Sequence, residues 1–225
     1  MAKEIRVGSC RASRLRSFLT GVPYRGEGRR LLDIGCGSGE ALAWARDNGW
    51  DVFGLDPDPQ AVELARRRGL HQVNAGDLLD QEYPDDFFDA ITFYQSLEHL
   101  HSPSACLSEC RRILAPDGAV YISVPNFQSF PRRLLGERWY GLQLPIHLFH
   151  FSPATLSELA SSCGFRIASP RSYSTIVSAV TTLKSLRAGG GDLPPLNWRG
   201  AVKSALRGNG GLSDIIHVEL RPVAI

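Results

Sequence analysis

The chain has 225 residues and a net charge of +2, and its hydrophobic and charged fractions, 43% and 21%, are those of an ordinary globular protein. This composition excludes a wholly disordered chain, and the nearly balanced charge argues against a dedicated nucleic-acid-binding protein. At about 150 residues per domain, the length favours one α/β domain with an extension. Five cysteines without a CxxC spacing support neither a disulfide framework nor a zinc knuckle. The N-terminal residues lack the apolar core of a signal peptide, so we expect a cytoplasmic protein.

Hydrophobic patterning predicts an amphipathic lead-in helix over residues 11–20, after which strands and helices alternate. Strands are predicted at 31–34, 51–55, 71–74, 88–94 and 118–124, with a sixth strand that begins over 165–167 and a final strand at 215–220. Helices are predicted at 39–47, 59–68, 103–114 and from 153 to a stop at Gly164. Asp58 before Pro59 and Ser102 before Pro103 are typical helix starts. The alternation predicts an α/β fold with a doubly wound, Rossmann-like sheet.

Three glycines, Gly35, Gly37 and Gly39, connect the first strand to the first helix of this alternation. Glycine permits a tight turn and the close approach of a ligand. The fingerprint of phosphate-binding loops, GxGxxG, would place its third glycine at position 40, which is Glu40. Because a carboxylate there repels a pyrophosphate, the loop favours a nucleoside ligand without a phosphate. A plain tight turn is the alternative interpretation.

Acidic residues follow the next two strands. Asp56 ends the second strand, where a carboxylate can accept both hydroxyls of a ribose, and Asp77 follows the third, where it can accept from an adenine amine. The neighbouring Asp58 is already explained as a helix cap. Since ligands of open α/β sheets bind at the carboxyl ends of the strands, these residues and the glycine loop predict one nucleoside-binding crevice.

Five segments, DIGCGSGE, GLDPDP, AGDL, FDAITFYQSLEHL and RRILAPDGAVYISVPN, together resemble the class I S-adenosylmethionine-dependent methyltransferases in order and spacing. Residues 145–165 resemble the branch that contains the ubiquinone-biosynthesis O-methyltransferases. The resemblance implies a mostly parallel sheet with helices on both faces, whose last strand, 215–220, runs antiparallel at the sheet edge. It also implies S-adenosylmethionine as the cofactor, with S-adenosylhomocysteine as its product.

The resemblance further implies a set of cofactor-binding residues. They are Asp33, Gly35, Cys36, Gly37, Gly39, Asp56, Asp77, Leu78 and Gln95. The glycines would frame the methionine end, and Asp33 would fix their loop or the cofactor's amino group. Asp56 would hold the ribose, and Asp77 and Leu78 would contact the adenine.

The tip of the fourth strand, at Glu98 and His99, is where the acceptor should meet the methyl group. His99 can accept a proton from a hydroxyl because its ordinary pKa suits that task, and the related O-methyltransferases carry a similar Glu-His pair. The alternative is that both residues simply hold the following loop. The Asn/Asp-Pro-Pro-Tyr sequence of methyltransferases that act on base amino groups is absent here.

His147 and His150 lie in an aromatic stretch that also contains Trp139 and Tyr140. His147 is the third candidate catalytic residue, as part of an acceptor pocket; a structural histidine is the alternative. A histidine pair three residues apart is typical of some metal sites, but no third ligand stands at a useful spacing, so we predict no metal. Trp139 and Tyr140 line the pocket or pack in the core.

We therefore expect a methyltransferase acting at oxygen on a small-molecule acceptor, with residues 1–28 as a lead-in, 29–174 as the cofactor-binding core and 175–225 as a lid-like insertion and the final strand. The main alternative is a non-catalytic S-adenosylmethionine-binding or partner module. A nicotinamide-dependent oxidoreductase is disfavoured by Glu40. Nitrogen or carbon as the nucleophile, and the oligomeric state, stay open.

Residues 175–211 combine an apolar stripe with basic residues and hinge glycines. The stripe comprises Ile176, Val177, Val180, Leu183 and Leu186, and the basic residues are Lys184, Arg187, Arg199, Lys203 and Arg207. This pattern predicts a cap over an amphipathic or lipid-linked acceptor, or light contact with a membrane surface. A packed helix followed by a solvated loop is the alternative.

Overall fold

A seven-stranded sheet organises the part of the chain that the computed structural model describes, residues 22–23, 25–173 and 214–223. The strands are β1 (Arg30–Ile34), β2 (Asp51–Asp56), β3 (Val73–Ala75), β4 (Phe88–Tyr94), β5 (Leu114–Pro125), β6 (Phe165–Tyr173) and β7 (Ile215–Pro222). Their order is β3-β2-β1-β4-β5-β7-β6. Neighbours among the first five strands are parallel, whereas β7 is antiparallel to both β5 and β6. The predicted doubly wound, mostly parallel sheet is confirmed.

The last strand, β7, runs antiparallel as expected, but the prediction that it lies at the sheet edge is wrong. It is inserted between β5 and β6, and β6 forms the edge. Residues 215–218 of β7 are all buried, as suits an inner strand whose backbone groups pair on both sides. Pairing along β7 carries β6 from Phe165 to Tyr173, and the predicted beginning of this strand at residues 165–167 is confirmed.

The helices begin close to their predicted positions. They are α1 (Glu40–Asp47), α2 (Pro59–Arg67), α3 (Pro103–Ile113), α4 (Phe130–Leu135) and α5 (Pro153–Ser162), of which α4 was not predicted. Asp58 caps α2, since its side chain accepts from the backbone N–H of Gln60 at 2.9 Å. Ser152 and Thr155 form a capping box at α5. At α3 the Ser102 side chain makes no capping hydrogen bond to the described residues, so Pro103 alone marks that start.

Two apolar clusters cover the two faces of the sheet. Successive strand residues point to opposite faces, and accordingly Leu31 and Leu32 of β1 belong to different clusters. The cluster with Leu31 includes Leu42 of α1 and Val62 of α2, whereas the cluster with Leu32 includes residues of α3 and α5. Helices on both faces are thereby confirmed.

Two predicted elements, the lead-in helix over 11–20 and the lid-like segment 175–211, lie outside the described residues. The described residues that flank the second segment meet at the carboxyl end of β5, where Ile215 pairs with both Pro125 and Tyr173. Within the described ranges, no helix combines the length and apolar character needed to cross a membrane.

Candidate functional site

The loop after β1 depends on its three glycines. Gly35, Gly37 and Gly39 have φ angles of +80°, +54° and +76°, a region that favours glycine. A Cβ on Gly35 would lie 2.4 Å from the Cβ of Ser96, and one on Gly39 would lie 2.3 Å from Cδ1 of Leu70. A Cβ on Gly37 would meet no atom of the described residues within 4 Å. Gly35 and Gly39 therefore allow the loop to pack closely, while Gly37 borders open space that a ligand can enter.

Asp56, at the tip of β2, is fastened to this loop. Its Oδ2 accepts from the backbone N–H of Gly37 at 2.8 Å, and its Oδ1 accepts from the N–H of Asp58 at 2.9 Å. A carboxylate offers about four lone-pair positions, so these two bonds leave acceptor capacity for the hydroxyls of a ribose. The arrangement orients Asp56 and fixes the loop at the same time.

Asp33 and Cys36 lie buried beside the glycine loop. Asp33 is 3% exposed and accepts a 2.7 Å hydrogen bond from the hydroxyl of Thr92 on β4. Burial raises the pKa of the Cys36 thiol to about 12, and the carboxylates of Asp33 and Asp56 act in the same direction. Cys36 is therefore a neutral thiol at physiological pH, and Asp33 links β1 to β4 under the loop.

A cavity of about 500 Å³ opens next to the loop, within the size range of small-ligand pockets. Its lining includes Gly35, Asp77, Leu78 and His99. Asp77 is exposed and Leu78 is buried, so the cavity meets a carboxylate beside an apolar side chain. The fold thus brings candidate cofactor residues from two strand tips, those of β1 and β3, to the same space as one candidate catalytic residue.

Gln95, the remaining member of the predicted cofactor set, is turned toward β5. Its φ of +55° is unusual for a residue other than glycine. The side-chain amide donates to the carbonyl of Ser123 at 3.1 Å. The structure places Gln95 as a link between the ends of β4 and β5.

The tip of β4 also anchors a distant segment of the chain. The backbone carbonyl of Glu98 accepts from the N–H groups of Leu148 and Phe149, at 2.9 and 3.1 Å. This contact brings the ring of His147 to within 4.8 Å of the ring of His99, measured between centroids. All three candidate catalytic residues, Glu98, His99 and His147, therefore meet at one point.

The electrostatics of this point are set by burial. Glu98 is 1% exposed, and neither carboxylate oxygen has a hydrogen-bond partner among the described residues. Burial raises the pKa of Glu98 to about 7, against a contact with its own backbone N–H that falls short of hydrogen-bond geometry. Burial also lowers the pKa of His147, and the His99 and His150 imidazoles act in the same direction, against a hydrogen bond to the Gly141 carbonyl. A neutral imidazole with a lowered pKa can accept a proton but holds it weakly.

Sequence reasoning missed Thr92 and Ser96. Ser96 lines the cavity, and its hydroxyl donates to the carbonyl of Ile34. The only sequence signal for Ser96 is a small residue just after a strand that neighbours a glycine loop. Of the aromatic residues considered for the acceptor pocket, Trp139 is 2% exposed and packs in the interior, and the Tyr140 hydroxyl donates to Asp214 at 2.7 Å.

Comparisons with known proteins point to methyltransferases. A family model described as a methyltransferase domain matches residues 3–169. A probable S-adenosylmethionine-dependent methyltransferase of Mycolicibacterium smegmatis is 32% identical over 65% of this chain and 55% of its own length. A ubiquinone biosynthesis O-methyltransferase of Alkalilimnicola ehrlichii is 34% identical over 52% of this chain and 51% of its own length. The chain thus spans about half the length of these curated relatives.

The fold has close counterparts among solved structures. A methyltransferase from Archaeoglobus fulgidus, described as SAM-dependent, superimposes with a TM-score of 0.65. The superposition covers 96% of this chain and 95% of that one. At 20% sequence identity this likeness establishes the fold alone.

Proposed function

Because the chain belongs to the class I S-adenosylmethionine-dependent methyltransferase family, we propose that it transfers a methyl group from S-adenosylmethionine to a hydroxyl of a small-molecule acceptor. Residues 29–174 then form the core of the cofactor-binding domain, and β7 completes its sheet. The cavity shared by Gly35, Asp77, Leu78 and His99 carries this proposal. A methyl donor held by the first three residues would present its sulfonium on the side where His99 lies.

The loop geometry supports the proposed cofactor roles. The open space at Gly37 suits the methionine end of the donor, and the spare lone pairs of Asp56 suit the ribose. Asp77 and Leu78 supply a hydrogen-bond acceptor and an apolar contact for the adenine. Asp33 and Cys36 support the loop from below, and Gln95 holds the neighbouring β4–β5 end.

The reaction is an in-line displacement at carbon. The bond between sulfur and the methyl carbon breaks, its electron pair stays on sulfur, and a bond forms from the acceptor oxygen to the methyl carbon. The hydroxyl proton passes to an imidazole, for which His99 and His147 are the candidates. Positioning the two reactants can supply about 7–11 kcal/mol, and a general base adds roughly 10²–10⁴-fold in rate.

The surroundings of His99 and His147 favour an acceptor with an apolar part. Leu144, Ile146 and Leu148 are 71%, 62% and 44% exposed, and they belong to the segment that the Glu98 carbonyl anchors at the β4 tip. Large apolar side chains exposed side by side commonly mark a surface that binds something apolar. Together with the names of the ubiquinone biosynthesis relatives, this supports an amphipathic or lipid-linked acceptor methylated at oxygen.

The proposal is tested by mixing the protein with S-adenosylmethionine labelled in its methyl group and with a polar and an organic extract of bacterial cells. Mass spectrometry then identifies any compound that gains the label. We expect one labelled compound, from the organic extract, carrying a methoxy group. Label on nitrogen or carbon would overturn the assignment of a hydroxyl acceptor. No labelled compound, despite tight binding of S-adenosylhomocysteine, would favour a binding module without transfer activity.

A further inference from the structure

We propose that Glu98, His99 and His147 bind one divalent transition-metal ion, of which Zn²⁺ is the best match. One carboxylate oxygen and one ring nitrogen from each histidine lie within 4.8 Å of one another. Two ligands of a tetrahedral zinc ion stand about 3.4 Å apart when the bonds are near 2.1 Å long. Rotation of the Glu98 carboxylate has to close the remaining gap, and no hydrogen bond to the described residues holds its oxygens in place.

Both histidines are already oriented as metal ligands usually are. Nδ1 of His99 lies 3.1 Å from the carbonyl oxygen of Ile146, and Nδ1 of His147 lies 2.8 Å from that of Gly141. A carbonyl oxygen can only accept, so both Nδ1 atoms carry the proton and both Nε2 atoms keep a free lone pair. A backbone carbonyl that fixes the tautomer from the far side of the ring is the usual second layer around a zinc-binding histidine.

The buried carboxylate of Glu98 is independent evidence for a cation at this site. Glu98 is 1% exposed, and both of its oxygens lack a hydrogen-bond partner among the described residues. A buried polar group without a partner costs about 1–3 kcal/mol, and proteins rarely accept that cost without a reason. A cation between Glu98 and the two Nε2 lone pairs would satisfy all three groups at once.

The donor set selects the ion. Two imidazoles and one carboxylate suit zinc and other first-row transition metals, whereas Mg²⁺ and Ca²⁺ prefer oxygen ligands throughout. Three protein ligands leave a fourth tetrahedral position, as in catalytic zinc sites. His99 lines the cavity while Glu98 and His147 are buried, so the fourth position faces the space assigned to the acceptor.

The proposed ion site does not depend on methyl transfer. Only the role of the ion in catalysis rests on the proposed function. A hydroxyl bound to the ion would lose its proton more readily, because a divalent cation stabilises the oxyanion. The two histidines then hold the ion in place and no longer act as the base, and the proton that the bound hydroxyl loses passes to solvent water.

His150 is not part of this site, although the sequence pairs it with His147. Its Nε2 lies 3.1 Å from the carbonyl of Leu142 and therefore carries the proton, opposite to His99 and His147. The His150 ring centroid is also 6.4 Å from that of His147. His150 thus lies outside the cluster of three and provides a matched control.

The test is a titration of chelator-treated, untagged protein with Co²⁺ followed by visible absorption, and with Zn²⁺ followed by calorimetry. We expect one ion per chain and tetrahedral cobalt bands. Loss of a supporting residue around such ions costs roughly 10–100-fold in affinity, so loss of a ligand should cost more. We therefore expect Glu98→Gln, His99→Ala and His147→Ala each to weaken binding by more than about 100-fold.

His150→Ala should bind both ions like the wild type. Each variant is also titrated with S-adenosylhomocysteine, whose unchanged affinity shows that the chain is folded. The site is wrong if the wild type takes up no ion, or if Glu98→Gln and His147→Ala bind as tightly as the wild type. It is also wrong if His150→Ala abolishes binding while Glu98→Gln does not, since the sequence pair would then be the site. Methyl transfer enters none of these readouts, so failure here leaves the proposed function standing.

Discussion

The two sides of the cavity are built by different means. On the cofactor side, the loop after β1 is held by backbone conformation and by the bonds from Asp56 to Gly37 and Asp58. On the acceptor side, Glu98, His99 and His147 are brought together by a contact between the β4 tip and residues 146–149. On the first side both carboxylate oxygens of Asp56 accept hydrogen bonds, whereas Glu98 on the second side has buried oxygens without partners in the described structure.

This difference indicates which side is preorganised for its ligand. A loop whose glycines and carboxylate are fixed in advance loses little conformational entropy when a cofactor binds. A buried carboxylate without a partner is destabilising, and such strain is typical of functional sites where a ligand supplies the missing contact. Substitutions should therefore act mainly on folding and cofactor affinity on one side, and on chemistry and ion binding on the other.

The largest effect is expected for Gly35→Ala on the cofactor side. The left-handed backbone costs about 1–2 kcal/mol for a residue with a Cβ, and the added atom would lie 2.4 Å from the Cβ of Ser96. Overpacking typically adds about 1–3 kcal/mol. Denaturant unfolding should show a loss of roughly 2–5 kcal/mol of stability.

Gly37→Ala is the matched control, because it has the same backbone penalty without a clash in the described structure. Its stability loss should stay near about 1–2 kcal/mol. Its affinity for S-adenosylhomocysteine should fall nonetheless, because the new methyl group enters the space assigned to the ligand. Equal stability losses in the two variants would contradict the packing account of the loop.

The next largest effect is expected on the acceptor side, where Glu98 should make the stability of the chain depend on pH. Its pKa is raised from 4.5 to about 7 in the folded chain, so the unfolded chain releases this proton at a lower pH than the folded chain does. Stability from this group therefore falls as the pH rises from about 4.5 to 7 and is level above. Because of this pKa shift, the free energy of unfolding of Glu98→Gln should rise by roughly 3 kcal/mol relative to that of the wild type as the pH increases through this window.

Denaturant unfolding of chelator-treated protein between pH 4.5 and 8 measures this difference. Glu63→Gln is the control, since Glu63 is exposed on α2 and pairs with Arg67. This variant should follow the wild-type pH profile. A Glu98→Gln profile parallel to that of the wild type would show that folding does not raise the pKa of Glu98.

A smaller effect, on cofactor affinity, is expected for Asp56→Ala. Hydrogen bonds to a charged group contribute about 1.5–3 kcal/mol, so affinity for S-adenosylhomocysteine should fall by roughly 10- to 150-fold in a calorimetric titration. Asp58→Ala removes the helix cap instead and should cost about 1 kcal/mol of stability. Because the Asp58 side chain caps α2 and only its N–H meets Asp56, cofactor affinity should be unchanged in that variant.

Most of the fold could be predicted because its signals are local. Asp58 and Ser152 mark helix starts by bonds to residues two or three positions away, and a pattern of this range is visible in the sequence. The interior position of β7 was not predictable in this way. It depends on pairing between Val124 and Ile216, far apart in the chain, which no local periodicity encodes.

The same distinction applies to the site. The glycine loop could be predicted because each glycine is needed for the backbone conformation at its own position. The meeting of His99 and His147 is not, because it depends on bonds from the Glu98 carbonyl to residues about 50 positions later. For this reason the sequence offered His150 as the partner of His147, whereas the fold supplies Glu98 and His99.

The central claim is that the cofactor and the acceptor occupy two sides of one cavity with His99 between them. The most direct measurement compares His99→Ala with the wild type in two quantities, affinity for S-adenosylhomocysteine and rate of label transfer to the acceptor found with the wild type. The account predicts unchanged cofactor affinity and a rate lower by roughly 10²–10⁴-fold. A full transfer rate in His99→Ala, or a loss of cofactor affinity equal to that of Asp56→Ala, would contradict it.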